Sequence, residues 1–548
     1  MARVLVVLLA LFSLGFQAAG VRPPASESIK KEDLKADLFF LAGDGFKGRL
    51  TDTPENTLAA EWIKFRFEKM GLKPAGPGGS YFQPFNLVTT TLGDPNTLQV
   101  VTGDADRMML KQGQDYYPQS FSASAHVRGS LAFAGFGITS PDLNYDDYKG
   151  KDIAGKIVLV IDHEPGERDP NSPFDGVVTA EDSTGFRKAL AAQAKGAIGI
   201  LFVSDVHNHP EVTNFEATAR SFWPAEQPRI RRFTLQTWAN RIRIPAAQIS
   251  PALADTLLKG SGKTLEQLSK SAETASGIVP LPIPGPQVEL TATVDRHIVP
   301  DRNVIGMIEG SDPRLKEEVV IISGHHDHNG ADSTQIFNGA DDNGSGTVVM
   351  IEIAEAYMAG VRAGQRPRRS VLFASWDSEE RGLLGAWAYT ESPTFPLDKI
   401  AAVVNMDMVG RNEEVPVGGG ARFRGLEVQT AESNENAVNV MGTTRTTMRP
   451  DVELANNGVG LELKFRYDNN ESQLVRRSDH WPFLHRGVPS VFFHTGLHPD
   501  YHTQYDRPEK INYPKMEKVA RLVYQTSWIF AEQDQRPEMN RRRGAGRN

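Results

Sequence analysis

Four short apolar runs in the second half of the chain alternate with stretches of helical pattern, and this alternation restricts the fold most strongly. The runs cover residues 319–322, 371–374, 401–404 and 488–493, and a helix predicted over 346–360 joins the first two. Short continuous apolar runs are typical of strands that are buried on both faces. Strands that alternate with helices favour the α/β class, with a doubly wound, mostly parallel sheet flanked by helices.

Length and composition limit the alternatives. A chain of 548 residues exceeds one compact core, so two or three domains are expected. The net charge is −8 and the sequence pI is near 6.0, which does not favour nucleic-acid binding, since that needs a basic face. The chain has no cysteine. Disulfides and a lipidated N-terminal cysteine are therefore excluded, and any metal site has to use histidine and carboxylate ligands.

The N-terminus has the pattern of a secretory signal peptide. Arg3 precedes an apolar run over residues 4–16, and the small residues Ala18, Ala19 and Gly20 follow it. The run is shorter than the roughly 20 residues of a membrane span. We therefore predict a signal peptide over residues 1–20 and a mature protein that is secreted or periplasmic, with no membrane span.

The remainder divides into several predicted segments. Residues 115–284 hold strand patterns and a helical pattern, and four alternating prolines at 280, 282, 284 and 286 mark their end, which is typical of a small, β-rich α/β domain closed by a stiff linker. The predicted segments after the signal peptide are the N-terminal part of the main domain (21–114), the inserted domain (115–284), the rest of the main domain (285–535) and a disordered basic tail (536–548).

Polar residues of types that can bind metals directly follow each predicted strand. A further group of such residues precedes the helix predicted at 346. The groups are Ser323–His328, Asn338–Asn343, Trp376–Glu380, Asn405–Asp407 and, after the last run, His494 and Tyr501–Thr503. The carboxyl ends of strands in an open α/β sheet form the ligand site, and imidazoles with carboxylates suit Zn²⁺. One catalytic zinc does not need so many ligands. Two metals about 3.5–4 Å apart would share a bridging carboxylate, and a free carboxylate nearby would act as general base.

These strings resemble the co-catalytic zinc aminopeptidase family, which includes secreted aminopeptidases, glutamate carboxypeptidase, glutaminyl cyclase and the transferrin receptor. The resemblance covers roughly residues 30–90 and 295–530 and implies the zinc exopeptidase fold. Residues 150–203 are similar, more loosely, to a protease-associated domain, through Asp152–Leu159 and Ala194–Ala197.

The resemblance implies a role for each matching residue at the first metal. His325 and Asp407 are expected to bind the first of two zinc ions. Asp327 is expected to orient His325. Asp341 is expected to bridge the two ions, and its bond to Asp342 is expected to be a non-proline cis peptide.

Three further residues are implied at the second metal and in catalysis. Glu380 and His502 are expected to bind the second zinc, and Glu379 is expected to be the general base. Some relatives carry a tyrosine at the position of His480 that helps to hold the oxyanion, so His480 is assigned that role here.

Four residues near these motifs have other interpretations. His326 is expected to face away from His325, because side chains alternate along an extended segment. The role of His328 is open. Arg411 and Asn412 closely follow Asp407, and we predict that they bind substrate; a simple turn is the alternative.

The resemblance implies a secreted metallo-exopeptidase that removes N-terminal residues from peptides and proteins. A carboxypeptidase or dipeptidase on the same fold is the first alternative, and a carboxypeptidase would need a cationic pocket. Glutaminyl cyclase is the second alternative, and a non-enzymatic, receptor-like binding protein is the third. The presence of every expected type of metal ligand argues against the receptor-like protein. The sequence leaves the oligomeric state open.

Overall fold

The computed structural model describes residues 23–540 apart from short gaps at 102–106, 151, 168, 170–171, 173, 175–179 and 212–213. The predicted signal peptide and the final residues 541–548 of the predicted tail lie outside the described residues. Within the described residues no helix has both the length and the apolar character to cross a bilayer. Strands and helices are numbered below in chain order.

The larger of two main sheets has ten strands. They are β1 (Lys73–Pro74), β2 (Phe82–Leu92), β11 (Thr234–Leu235), β14 (Val294–Ile308), β15 (Val319–His325), β16 (Ser370–Trp376), β17 (Ile400–Met406), β18 (Ala437–Met441), β19 (Glu462–Lys464) and β20 (Ser490–His494). Their spatial order is β11-β2-β14-β16-β15-β17-β20-β18-β19, and β1 pairs with β14. The central strands β16, β15, β17 and β20 are parallel, as predicted, whereas the neighbouring β14 and β18 pair with them in antiparallel fashion.

Twelve α-helices lie within the described residues. They are α1 (Lys31–Leu41), α2 (Pro54–Met70), α3 (Gly185–Ala194), α4 (Phe215–Phe222), α5 (Gln236–Arg241), α6 (Pro251–Leu258), α7 (Leu265–Ala272), α8 (Gly346–Arg362), α9 (Leu384–Glu391), α10 (Arg449–Asn456), α11 (His480–His485) and α12 (Tyr513–Glu532).

Alternation along β15 fixes which helices cover each face of the large sheet. Val320 and Ile322 belong to the core that includes α1, α2, α8 and α12. Val319 and Ile321 point the other way, into the core that includes α9 and α11. Helices therefore cover both faces of β15, which explains why its sequence is a continuous apolar run instead of an alternating one.

The second sheet has eight strands and cores of its own. Its strands are β3 (Thr97–Val101), β4 (Arg107–Met109), β5 (Tyr116–Pro118), β6 (Ala125–Phe133), β9 (Ile157–Ile161), β10 (Gly199–Val203), β12 (Ala246–Ile249) and β13 (Leu281–Ala292); β7 (Thr139–Ser140) and β8 (Tyr145–Asp146) form a separate pair. This sheet uses residues on both sides of the predicted 115–284 segment. Its assignment as a protease-associated domain remains a prediction.

Three of the four alternating prolines, Pro282, Pro284 and Pro286, belong to strand β13 and not to a linker. Leu281–Ile283 pairs with β6, and the register shifts before pairing resumes at Gln287. The second neighbour, β3, pairs only from Gln287 onward. Proline lacks an N–H, so it is tolerated where a strand has one neighbour and at a bulge.

One segment of the intervening chain returns to the large sheet. Thr234 and Leu235 pair with β2, and the Trp238 ring lies 5.8 Å from the ring of Trp387. The Trp238 indole also donates to Glu391 at 2.7 Å. These contacts attach the second sheet's connecting segment to the face of the large sheet that carries α9.

A buried arginine near the N-terminus joins two loops of the large sheet. Arg49 is fully buried and donates to the backbone carbonyls of His326, Asn338 and Gly339 and to that of Leu41. Burial lowers the pKa of its guanidinium to about 10, and nearby carboxylates oppose this shift. The planar guanidinium suits this task because several donors point outward in fixed directions.

Arg49→Lys tests this role, because lysine keeps the charge but cannot reach four carbonyls. A buried acceptor that loses its donor costs about 1–3 kcal/mol, so we expect the free energy of unfolding to fall by about 2–4 kcal/mol. Urea denaturation followed by tryptophan fluorescence measures the change. The exposed Arg314→Lys is the control, with an expected change within about 0.5 kcal/mol; equal midpoints for the two variants would contradict the role.

Candidate metal centre

The candidate site lies where the carboxyl ends of four parallel strands meet. His325 ends β15, Glu379 and Glu380 follow β16, and Asp407 follows β17. Two other segments complete it: a π-helical turn, Ala340–Ser345, precedes α8, and a loop that follows β20 carries His502. The sheet brings together residues up to 177 positions apart, because the carboxyl ends of parallel strands share one edge.

The first group of side chains converges on the ring of His325. Its Nε2 lies 3.4 Å from Asp407 Oδ2 and 3.5 Å from Asp342 Oδ1. All three residues are buried, and their ligand atoms lie within 4.8 Å of one another. An imidazole with two carboxylates is a donor set that suits zinc.

The second group shares Asp342 with the first. His502 Nε2 lies 3.0 Å from Asp342 Oδ2 and 3.1 Å from Glu380 Oε2. On the other side, His328 Nδ1 lies 2.6 Å from Glu380 Oε1 and 3.8 Å from Asp342 Oδ2. His328, whose role the sequence left open, therefore faces the same two carboxylates as His502.

The shared carboxylate belongs to Asp342 and not to Asp341, which corrects the predicted bridging residue by one position. Asp341 points elsewhere: its Oδ1 accepts from the Gly410 N–H at 2.7 Å, and its Oδ2 lies 3.3 Å from His498 Nε2. The non-proline cis peptide is likewise one bond later, between Asp342 and Asn343. The buried Asp506 carboxylate accepts from the N–H groups of Asp341 and Asp342, all at 3.0 Å, and so fixes the turn.

Asp327 positions the loop after β16. Its Oδ1 accepts from the Glu379 N–H at 2.9 Å and its Oδ2 from the Glu380 N–H at 3.2 Å. Its backbone carbonyl lies 3.2 Å from His325 Nδ1, whereas its carboxylate is 3.5 Å from that atom. Asp327 thus contacts His325 through both its carbonyl and its carboxylate, and the carboxylate also accepts from the N–H groups of the two adjacent glutamates.

Glu379 lies beside the two groups of proposed metal ligands and belongs to neither group. Its Oε2 lies 3.6 Å from His325 Nε2, and it lines the pocket together with Asp342 and Asp407. Burial raises the pKa of its carboxyl well above the usual value; the charge of His325 opposes this, and Asp407 adds to it. A carboxylate with a raised pKa is suited to accept and return a proton near neutral pH.

His326 faces away from the site, as alternation predicted. Its Nδ1 lies 3.0 Å from the Ser375 hydroxyl, and its Nε2 is 3.4 Å from Asp377 Oδ2. Burial lowers the pKa of this ring to about 4. The ring therefore contacts the end of β16 and the residue after it, and not the metal-binding side chains.

The structure does not bring His480 to the pocket. Its buried ring stacks on Phe492 at 4.5 Å, and burial lowers its pKa to about 3. Phe492 itself lines the pocket, and so does Tyr501. The Tyr501 ring stacks on His502 at 3.8 Å, and its hydroxyl accepts from Arg477 at 3.1 Å. Tyr501 therefore places a phenol beside the proposed ligand His502.

Arg411 and Asn412, which were predicted to bind substrate, make hydrogen bonds to residues outside the pocket. Arg411 donates to Asp500 at 3.1 Å through two nitrogens, and Asn412 accepts from Asn512 at 3.1 Å. Neither residue lines the pocket. Its lining comprises Asp342, Glu379, Asp407, Met408, Leu474, Arg477, Phe492, His494, Leu497, Tyr501 and His502.

The sequence analysis gave no ligand or catalytic role to three polar residues of this lining, Asp342, Tyr501 and His494, although all three lie in the groups that it singled out. Tyr501 directly precedes a predicted ligand, and this adjacency was a usable signal. His494 ends β20, and its Nδ1 lies 2.8 Å from the Asp407 carbonyl, so it supports the strand end that carries a predicted ligand.

The donor atoms of the two groups fit metal ions. Several are shielded from solvent and have no hydrogen-bond partner among the described residues, namely His325 Nε2, Asp407 Oδ1 and His328 Nε2. Buried polar atoms are normally paired, so such a cluster requires an explanation, and a bound cation provides one.

Charge supports the same conclusion. Burial lowers the pKa of the His502 ring, but Glu380 and Asp342 raise it to about 10 overall. The ring of His325 behaves alike: burial opposes its charge, whereas Glu379 and Asp407 raise its pKa well above the usual value. The carboxylates therefore create a buried negative field that stabilises positive charge at the imidazoles, and divalent cations neutralise such a field.

Similar proteins include peptidases of two kinds. A probable glutamate carboxypeptidase from Arthroderma benhamiae is 30% identical over 237 residues, which cover 41% of this chain and 29% of that protein. The aminopeptidase YwaD of Bacillus subtilis is 23% identical over 363 residues, covering 65% of this chain and 67% of that protein. The solved aminopeptidase from Aneurinibacillus sp. strain AM-1 aligns over 93% of this chain and 96% of its own, with 18% identity and a TM-score of 0.47.

A family comparison assigns the part of the chain that carries the site. Residues 303–527 match the model of peptidase family M28. The match includes the central parallel strands and every residue of the two groups described above. Residues 303–527 of this chain therefore form a domain that belongs to peptidase family M28.

Proposed function

We propose that this chain is a secreted two-zinc exopeptidase that removes N-terminal residues from peptides. One observation carries the proposal: Asp342 presents its two carboxylate oxygens to two different imidazole-carboxylate groups, and Glu379 lies beside them as a further carboxylate outside both groups. The family of the domain supports peptide hydrolysis. Secretion rests on the signal-peptide pattern of residues 1–20.

The two ions would be held by the two groups. His325, Asp342 and Asp407 would hold the first. Asp342, Glu380 and His502 would hold the second, with His328 facing the same carboxylates. Zinc in such sites polarises the scissile carbonyl and lowers the pKa of the attacking water.

The protein's own groups then move the proton and orient the substrate. Glu379 accepts a proton from the attacking water and delivers it to the nitrogen of the leaving amine, so the same carboxylate acts first as base and then as acid. Asp327 keeps Glu379 in place through its backbone N–H. Burial raises the pKa of the Tyr501 hydroxyl well above its usual value, so the phenol stays protonated and can donate to the developing oxyanion.

The pocket favours a free amino terminus. Three of its polar lining residues are carboxylates, and the guanidinium of Arg477, which also lines the pocket, is already bonded to the Tyr501 hydroxyl. Apolar side chains of Met408, Leu474 and Leu497 form other parts of its wall. We expect apolar terminal residues to be preferred, since they bury surface against these side chains.

A carboxypeptidase is the second candidate, and Arg477 is the observation that favours it. A guanidinium at the pocket wall can bind a substrate carboxylate through two parallel hydrogen bonds. One relative is named a probable glutamate carboxypeptidase, although the match spans less than a third of that protein.

Glu379→Gln tests the general base. The amide cannot accept the proton, so we expect kcat to fall by about 10²–10⁴-fold while the zinc content stays the same. Hydrolysis of leucine p-nitroanilide and elemental analysis of the same preparation measure both quantities. Glu317→Gln, on the surface, is the matched control; activity retained by Glu379→Gln would refute the assignment.

Adjacent aspartates offer a direct test of the shared ligand. We expect Asp342→Asn to weaken zinc binding more than about 100-fold at both sites, since it removes a charged ligand from each. Asp341→Asn keeps an acceptor for the Gly410 N–H, and its zinc content should match that of the parent protein. Titration of metal-stripped protein with zinc separates the two variants, and the reverse pattern would restore Asp341 as the shared ligand.

Blocked substrates separate the two exopeptidase classes. Leucine p-nitroanilide has a free amine and a blocked carboxyl end, whereas N-acetyl-leucyl-leucine has the opposite arrangement. We expect hydrolysis of the first alone, measured by absorbance and by chromatography. Hydrolysis of the second alone, with a KM that rises in Arg477→Gln, would establish the carboxypeptidase instead.

A further inference from the structure

A second cluster of metal-binding side chains lies in the smaller sheet, far along the chain from the site described above. His163 follows β9 by two residues, and Glu167 lies in the same loop. His209 follows the neighbouring parallel strand β10 by six residues. One ligand atom from each residue lies within 4.8 Å of the others.

The three side chains converge on one point. Glu167 Oε2 lies 3.0 Å from His163 Nδ1, and Glu167 Oε1 contacts His209 Nε2. The two imidazole rings lie 4.4 Å apart, tilted by 35°. The Glu167 side chain is 12% exposed and the imidazoles are about two-fifths exposed, so a metal ion can reach the cluster from solvent.

Buried groups hold the first of the two loops in this shape. His163 adopts a left-handed backbone conformation with φ 64°. The buried Lys188 stabilises it by donating to the carbonyls of His163 at 2.5 Å and Ile161 at 2.7 Å. Residues other than glycine occupy this conformation at a cost, which the surrounding contacts have to offset.

The second loop is fixed by Asp205. Its carboxylate accepts from the N–H groups of His207 and Asn208, and its carbonyl accepts from the N–H of His209. Glu273 then joins the two loops, because it accepts from the Gly166 N–H at 2.7 Å and from the Asn208 side chain at 2.6 Å. Both loops are therefore organised by residues outside the cluster itself.

We propose that His163, Glu167 and His209 form a third zinc site, separate from the peptidase centre. Two imidazoles and one carboxylate are a zinc donor set, with a fourth position left for water. Ligand atoms bound to tetrahedral zinc at about 2.0–2.1 Å lie roughly 3.3 Å apart, close to the 3.0 Å between His163 and Glu167. A hydrogen-bonded His-Glu-His network without metal is the competing explanation.

The position of the cluster points to a structural role. None of its three side chains lines the pocket of the peptidase centre, and the two loops that carry them follow adjacent parallel strands of the smaller sheet. A metal bound there would therefore join the loops after β9 and β10 and stabilise this end of the smaller sheet. It would not take part in the reaction.

Zinc stoichiometry tests the proposal directly. The full chain is purified without a histidine tag or nickel resin, stripped with chelator, dialysed and titrated with Zn²⁺ alone by calorimetry. We expect His163→Ala/His209→Ala to bind one zinc fewer per chain than the parent protein. Glu167→Gln should weaken that binding step more than about 100-fold, and His207→Ala, an exposed histidine in the same loop, should change nothing.

Peptidase variants keep this test independent of the proposed function. Asp342→Asn should lose binding at the peptidase centre and retain the step that disappears in His163→Ala/His209→Ala. Cobalt substitution of Asp342→Asn provides a second readout, the visible absorption of a four-coordinate ion. An equal zinc count in the parent and His163→Ala/His209→Ala, with Glu167→Gln unchanged, would overturn the site and leave a hydrogen-bonded network only. A double variant that fails to fold is replaced by Glu167→Gln, which keeps the shape of the side chain.

Discussion

The buried carboxylate of Asp327 is the interaction on which the rest of the site depends. It joins the end of β15 to the loop after β16, because its two oxygens accept the N–H groups of Glu379 and Glu380. The proposed base and one proposed ligand are thus set by a single side chain that lies two residues after His325. A charge buried in this way is stabilised only when its hydrogen bonds are made, so the loop and the carboxylate stabilise each other.

The same principle extends outward from Asp327. The loops that carry the site are irregular, and their backbone groups are buried, so each needs a partner. Arg49 supplies donors to carbonyls of the loops around His326 and Gly339, and Asp506 supplies acceptors to the N–H groups of the turn at Asp342. The strands bring the loops to one edge of the sheet, and buried side chains such as Arg49 and Asp506 then hold the loops through hydrogen bonds to their backbone.

Much of this arrangement was predictable because it follows from periodicity. The central strands were predicted from continuous apolar runs, and residues placed directly after them, such as His325, Glu380 and Asp407, lie together as expected. The predictions failed in irregular segments, where the sequence has no hydrophobic periodicity. Asp341 and Asp342 are neighbours in an irregular turn, and nothing in their order shows which side chain points into the site. The prolines of β13 were predicted to form a linker. Whether a strand can contain proline depends on which neighbouring strands pair with it at that position, and the sequence does not show this.

The sequence by itself determined the class of the fold, the sheet edge at which chemistry is placed, and the kinds of ligand available, since apolar periodicity and residue type are local properties. The tertiary structure alone decided which carboxylate is shared, that Tyr501 and not His480 faces the pocket, and that His163, Glu167 and His209 meet. These outcomes depend on the direction of side chains on loops from distant parts of the chain. That direction is fixed by buried hydrogen bonds between the loops, which have no signature in the local sequence.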